Sequence, residues 1–207
     1  YDALVPGKDD FIFGYKNLVD LADKANFPFL ASNLIYKDSK LSVFKPFTII
    51  ENNDLRVGVL GIIPSNLEEF VLKKNINNLE LIPEIRSLKK WIPIIEDEDV
   101  DLIILLSSLG VPWDREKIYK KFENKYLEIK DSIDYKCNNS IELSFFTDNI
   151  DIIISGGENK GYNMPLYNGY SHTYVFQNYG NLTEFGHFKI NFNKNKIFTG
   201  YASVVEN

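Results

Sequence analysis

The chain is predicted to fold as a layered α/β protein, and three observations carry that expectation. Two uninterrupted apolar runs, Asp101-Leu102-Ile103-Ile104-Leu105-Leu106 and Asp151-Ile152-Ile153-Ile154, have the character of strands covered on both faces, as in a parallel sheet. Stretches with apolar residues at helical spacing lie before and between them. After Ser171 only strand patterns remain, at 173–177, 185–192 and 197–205, which suggest an antiparallel closing sheet with a turn at 193–195.

From the amino end, Leu18, Leu21 and Ala22 recur at helical spacing and predict an amphipathic helix over 15–25. The Phe-Pro-Phe-Leu-Ala segment at 27–31 is predicted to be a short buried strand. Strands are expected at 46–51 and 55–61, joined by a hairpin turn through Asn52, Asn53 and Asp54. The span 80–98 is helix-like, with Pro83 placed at its start and Pro93 at a kink or break. No internal repeat and no Gly, Pro or Ser-rich linker divides the chain, so a single domain over 1–207 is expected.

Composition narrows the function classes. The 207 residues are 44% hydrophobic and 14% aromatic, without an apolar stretch of about 18 residues that would span a membrane. The net charge is −6 with both signs interspersed, which argues against nucleic acid as a partner because no basic face is available. Cys137 is the only cysteine, so neither an intrachain disulfide nor a thiolate metal site is available. The chain opens at Tyr1 without a methionine start or a leader, and is expected to be a mature or trimmed piece of a longer protein.

The first fourteen residues carry the most specific signal. Asp2-Ala3, Gly7, Asp10-Phe11 and Gly14 resemble the Asp-Ala-x-x-x-Gly-Asn-His-Glu-Phe-Asp-x-Gly block of the 5'-nucleotidase branch of the calcineurin-like metallophosphoesterases. Four further blocks follow in that family's order. They are Phe27-Pro28 to Asn33, Lys45-Pro46-Phe47 leading into Arg56-Val57-Gly58, Asp101 to Gly110, and Asp151 to Gly157. A softer match runs from Val175 through Gly180 to Gly186. The resemblance implies a metallophosphoesterase-like β-sandwich flanked by helices and ending in antiparallel strands. It also implies an extracytoplasmic location, at the periplasm or cell surface.

The family's chemistry uses two divalent metals, held by Asp, His and Asn, which bind a bridging hydroxide and clamp the phosphate. Lys8 stands where the family has its metal-binding Asn, and Asp9 where it has the catalytic His. An ammonium cannot ligate a cation. Ser108 replaces the metal-binding His of the fourth block. At the fifth block either Gly157 and Asn159, or, shifted by one residue, Glu158 and Lys160, fall where two histidines belong. His172 and His187 are at no family ligand position, and the first Asp-x-His block would precede Tyr1.

The expectation is therefore a degenerate domain with no cofactor and no confident catalytic residue, serving a structural or binding role in a larger protein. Two alternatives stay open. In one, Asp9, Asp10 and Glu158 complete a rebuilt phosphoesterase site that holds two divalent metals. In the other, a nucleotide or phosphate is bound without turnover by Lys8, Ser108, Gly156, Gly157, Glu158 and Asn159. For Asp9 and Asp10 the plainer reading is a solvated turn and a cap for the helix at Tyr15, and for Lys8 a surface lysine. Residues 111–140 form a charged insertion, solvated by default. Its aromatic residues Tyr119, Phe122 and Tyr126, within 113–134, also suit docking of a partner or neighbouring domain.

Overall fold

The computed structural model describes residues 1–52, 55–181 and 183–192, and the backbone of 198–206. A 3-10 turn, Lys8–Phe11, leads into helix α1, Tyr15–Lys24. Strands β1 (Leu34–Tyr36), β2 (Phe47–Asn52), β3 (Leu55–Ile62) and β4 (Leu79–Leu81) follow, then helix α2 (Glu84–Glu96) and strand β5 (Leu102–Ser107). Helices α3 (Arg115–Ile129) and α4 (Ser140–Ser144) precede β6 (Ile152–Ser155), β7 (Leu166–Asn168), β8 (Thr173–Gln177), β9 (Phe185–Phe192) and β10 (Phe198–Glu206).

Six strands form one sheet in the order β2-β3-β5-β6-β8-β7. The inner four, β3, β5, β6 and β8, run parallel, while β2 and β7 close the two sides antiparallel. β1 pairs with β4, and β9 pairs antiparallel with β10 at the end of the chain. The α/β class and the antiparallel ending are thus as the sequence predicts. The register aligns Ile62, Ser107, Ser155 and Gln177 in one row across the carboxyl ends of the parallel strands.

The all-apolar segments of β5 and β6 lie in the middle of this sheet because they can be covered on both sides. The main core joins Ile85, Leu88, Ile92 and Ile95 of α2 to Leu60, Ile103, Leu105 and Ile153 of the sheet and to Ile141 and Leu143 of α4. A second core gathers Phe11, Leu18, Leu34, Ile63, Leu67 and Leu79 beneath α1 and the β1–β4 pair.

Several expectations are corrected. Residues 27–31 are not a strand but make isolated parallel bridges, Leu4 to Phe29 and Leu30 to Lys45. Residues Glu80 and Leu81 belong to β4, and the helix starts behind Pro83, whose φ of −51° suits a helix entrance. Pro93 does not break α2, which runs through it, with Ile92 and Ile95 holding both sides against the core. Thr173–Gln177 joins the main sheet parallel to β6, so only β9 and β10 form the closing pair. The turns expected at Asn53-Asp54 and at 193–195 lie outside the described residues.

The charged 113–134 stretch is built around α3. Phe122, 3% exposed, is the one buried residue of that helix. Its ring lies 5.1 Å from Phe145, and Tyr119 and Tyr126 also pack on Phe145, at 5.0 and 5.2 Å. The rings that suggested a docking surface are therefore occupied by α4 within the same chain. Phe122→Ala should release α3 locally. Amide exchange in Arg115–Ile129 is expected to accelerate while β5 and β6 stay protected; equal acceleration throughout would make α3 an integral part of the core.

Candidate functional site at the carboxyl ends of the parallel strands

Loops leaving the carboxyl ends of parallel strands form the usual ligand crevice of layered α/β folds, and here they are tied to one another. Ser107 Oγ lies 2.9 Å from Ser140 Oγ, which lies 2.8 Å from Ser155 Oγ. This buried relay joins the ends of β5 and β6 through the first residue of α4. Asn139 caps that helix, its Oδ1 accepting from the amides of Ile141 and Glu142 at 3.0 Å each. The Gly156 amide donates to Ser107 O at 2.8 Å, and the Ser108 amide to Ile62 O at 3.1 Å.

Gln177 completes the clasp. Its Oε1 accepts from the Val111 amide at 2.7 Å, and its Nε2 donates to the carbonyls of Val111 and Lys160. Both of its donor hydrogens and its carbonyl oxygen are used in holding the two loops, which fits its burial.

Gly157 has a φ of +102°, and a Cβ there would meet Ser108 O at 2.5 Å. The backbone therefore admits no larger residue, and Gly157 is present for close approach. Glu158 in turn lies over Gly110, where an added Cβ would meet its Cγ at 2.4 Å. Asn159 packs on Gly180, whose amide donates to Asn159 O at 3.1 Å.

The structure thus brings Ser108, Gly156, Gly157, Glu158 and Asn159 together. Gly156, Gly157 and Glu158 line a cavity of about 310 Å³ with Tyr162, Tyr179 and His187. Ser108 Oγ is buried and has no hydrogen-bond partner among the described residues. Lys8, Asp9 and Asp10 do not line that cavity. The Lys8 ammonium sits 5.1 Å from the Phe70 ring centre, and Asn75 Nδ2 donates to the carbonyls of Phe11 and Ile12. Asp10 Oδ2 accepts from the Gly7 amide at 2.7 Å, closing the 3-10 turn rather than capping α1, which begins behind Gly14 without a side-chain cap. Asp9 is exposed.

Sequence reasoning missed Ser140, Gln177 and the rings around Lys160 described below, because each acts across loops that are distant in the chain. The signal within reach was the run Lys160-Gly161-Tyr162, whose glycine lets the loop lie against Tyr179: a Cβ at 161 would meet the Tyr179 amide nitrogen at 2.2 Å.

No protein-family profile matches the chain. A 5'-nucleotidase of Vibrio cholerae is 25% identical over 111 residues, which is 53% of this chain and 20% of that protein. Among solved structures, the calcineurin-like phosphoesterase YfkN of Bacillus subtilis superposes with a TM-score of 0.75 at 20% identity, covering 100% of this chain and 63% of that one. A 5'-nucleotidase precursor of Thermus thermophilus superposes with a TM-score of 0.73 at 17% identity, covering 99% and 38%. The aligned stretch thus spans a fifth of its curated relative's length.

These relatives correct the expectation that the domain takes no cofactor. The fold is that of the calcineurin-like phosphoesterases, and by the resemblance given above that family works with two divalent metals. The residues of this chain nevertheless fit the pair poorly. A lysine on a phenylalanine ring, a buried neutral hydroxyl and, in either alignment of 157–160, no histidine stand at the family positions. Among the described residues no three His, Cys, Asp or Glu side chains are grouped to hold a metal, so no step is derived through one. Described helices also include none long and apolar enough to cross a membrane. With five sequence blocks in order and the superposition of nearly every residue, this chain has the calcineurin-like phosphoesterase fold and resembles the 5'-nucleotidase branch of it.

Proposed function

We propose that this chain is a non-catalytic phosphoesterase-fold domain with a binding or structural role inside a larger extracytoplasmic protein. One observation carries the reading: at the positions that would ligate metal and act on phosphate stand Lys8, Asp9, Ser108 and, in either alignment of 157–160, no histidine. Lys8 packs on Phe70, and Glu158 lies over Gly110. Ser108 offers only a neutral hydroxyl. The extracytoplasmic placement rests on resemblance alone.

In this reading 1–207 is one domain and 111–140 an insertion on it. With Tyr119, Phe122 and Tyr126 turned to α4, the face of 113–134 left for a partner is its charged outer one, with exposed Leu127. The test is release of phosphate from nucleoside 5'-monophosphates and p-nitrophenyl phosphate by the intact protein, with Mn, Zn, Fe or Ca added in turn. No release above buffer is expected with any of them. Metal-dependent release would return the reading to a phosphoesterase with a rebuilt site.

A further inference from the structure

Three aromatic rings from three separate loops converge on one ammonium. Lys160 Nζ lies 5.1 Å from the ring centre of Trp113, 5.6 Å from Tyr162 and 5.8 Å from Tyr179. All three distances fall within the range of cation–π attraction. No carboxylate forms an ion pair with Lys160 among the described residues, so the rings are its electrostatic partners.

Two of the walls are fixed independently of Lys160. Tyr162 donates its hydroxyl to Pro112 O at 2.6 Å, its amide bonds Gln177 O at 2.9 Å, and the Arg115 guanidinium stacks 4.0 Å from its ring. Arg115 is itself held by Met164 O and Glu116, both at 2.7 Å. Tyr179 is backed by Gly161, where no side chain would fit. Trp113, 70% exposed, is the wall most open to solvent, and Tyr179 is 39% exposed.

Tyr162 and Tyr179 also line the 310 Å³ cavity, in which Glu158 is the only charged side chain among the described residues. The cavity therefore combines π faces with one acid, which suits a cation, and the nearby Arg115 guanidinium is already paired with Glu116. The Lys160 backbone is pinned through its carbonyl by Gln177, so its side chain alone has to swing out to vacate the rings.

We propose that Trp113, Tyr162 and Tyr179 form a receptor for a small quaternary ammonium compound, for which Lys160 is the resident placeholder. A quaternary ammonium is less strongly hydrated than a primary one and gives up less on entering such a cage. It thereby displaces the tethered lysine, and its remaining body occupies the cavity beside Glu158. The inference is independent of whether the domain turns over phosphate esters.

Calorimetric titration of the intact protein with choline tests it, with 3,3-dimethylbutan-1-ol as the uncharged isostere. Choline is expected to bind and the alcohol not. Lys160→Ala should bind choline about fivefold more tightly, because the competing tethered cation is gone. Trp113→Ala, an exposed position whose loss does not threaten folding, should bind it about tenfold more weakly. Phosphatidylcholine vesicles run against the same variants separate a lipid headgroup from a free ligand as the source of the same chemistry. Equal binding of the uncharged isostere, unchanged binding in Trp113→Ala, or no binding of choline or vesicles by either wild type or Lys160→Ala would overturn the proposal.

Discussion

Gly61→Ala is expected to destabilise the protein by about 3 kcal/mol or more. A Cβ at 61 would meet Leu30 O at 2.4 Å and the Leu30 carbonyl carbon and Cβ at 2.5 Å. These are mostly backbone atoms. Leu30 is fully buried and bridged to Lys45, and Ser32 donates its amide to Gly61 O at 2.8 Å. The clash therefore cannot be relieved by a side-chain rotation; either β3 or the crossing 30–32 segment has to move. Gly156→Ala is the control, since nothing lies within 4 Å of its added methyl and a change within about 0.5 kcal/mol is expected. Urea unfolding monitored by the far-ultraviolet signal checks both. Near-equal stability of the two variants would show that the Leu30 crossing is looser than described.

The second large effect concerns Glu84, a fully buried acid in the first turn of α2. Its Oε1 accepts from the Ser65 amide at 2.6 Å, and its Oε2 from Ser65 Oγ at 3.1 Å and the Cys137 amide at 3.3 Å. One carboxylate thus ties the loop after β3 to α2 and to the segment before α4. Glu84→Ala leaves two buried amides without acceptors and is expected to cost about 3 kcal/mol. Glu84→Gln keeps the shape but in either orientation points its N–H₂ group at a backbone amide, of Ser65 or of Cys137, so it too is expected to destabilise.

The pH dependence separates charge from shape. Burial pushes the Glu84 carboxyl above its ordinary value, outweighing the hydrogen bonds from Ser65 and Cys137 that pull it down. A group raised in the folded state contributes stability that is fully present below its unfolded pKa and is lost as pH rises through the folded value. The stability gap between wild type and Glu84→Gln should therefore be greatest in acid and narrow toward neutral pH. A gap that widens with pH would mean that hydrogen bonding, not desolvation, governs the site.

How much could be read beforehand depended on whether the deciding contacts were local. β5 and β6 were legible because uninterrupted Leu and Ile runs have few other uses, and α2 because its apolar spacing persists on both sides of Pro93. The sheet position of Thr173–Gln177 was not. Its alternating burial looks like that of a half-covered antiparallel strand, while its parallel pairing with β6 is set by residues far away in sequence. Residues 27–31 failed for a related reason: an apolar run was taken for a strand, but its neighbours, Leu4 and Lys45, offer only single bridges. Family order located the loops of the candidate site, yet the sequence left two alignments at 157–160. The serine relay and the Lys160 cage are each assembled from three separate segments, so no local motif announces them.

The central claim is that this domain keeps the phosphoesterase fold without performing its reaction. Its most direct test is phosphate release from a nucleoside 5'-monophosphate, measured side by side for the intact protein, Ser108→Ala and Glu158→Ala after equilibration with each divalent metal. The account predicts no release by any of the three. Release by the intact protein that falls in Ser108→Ala or Glu158→Ala would contradict it and assign the activity to these loops.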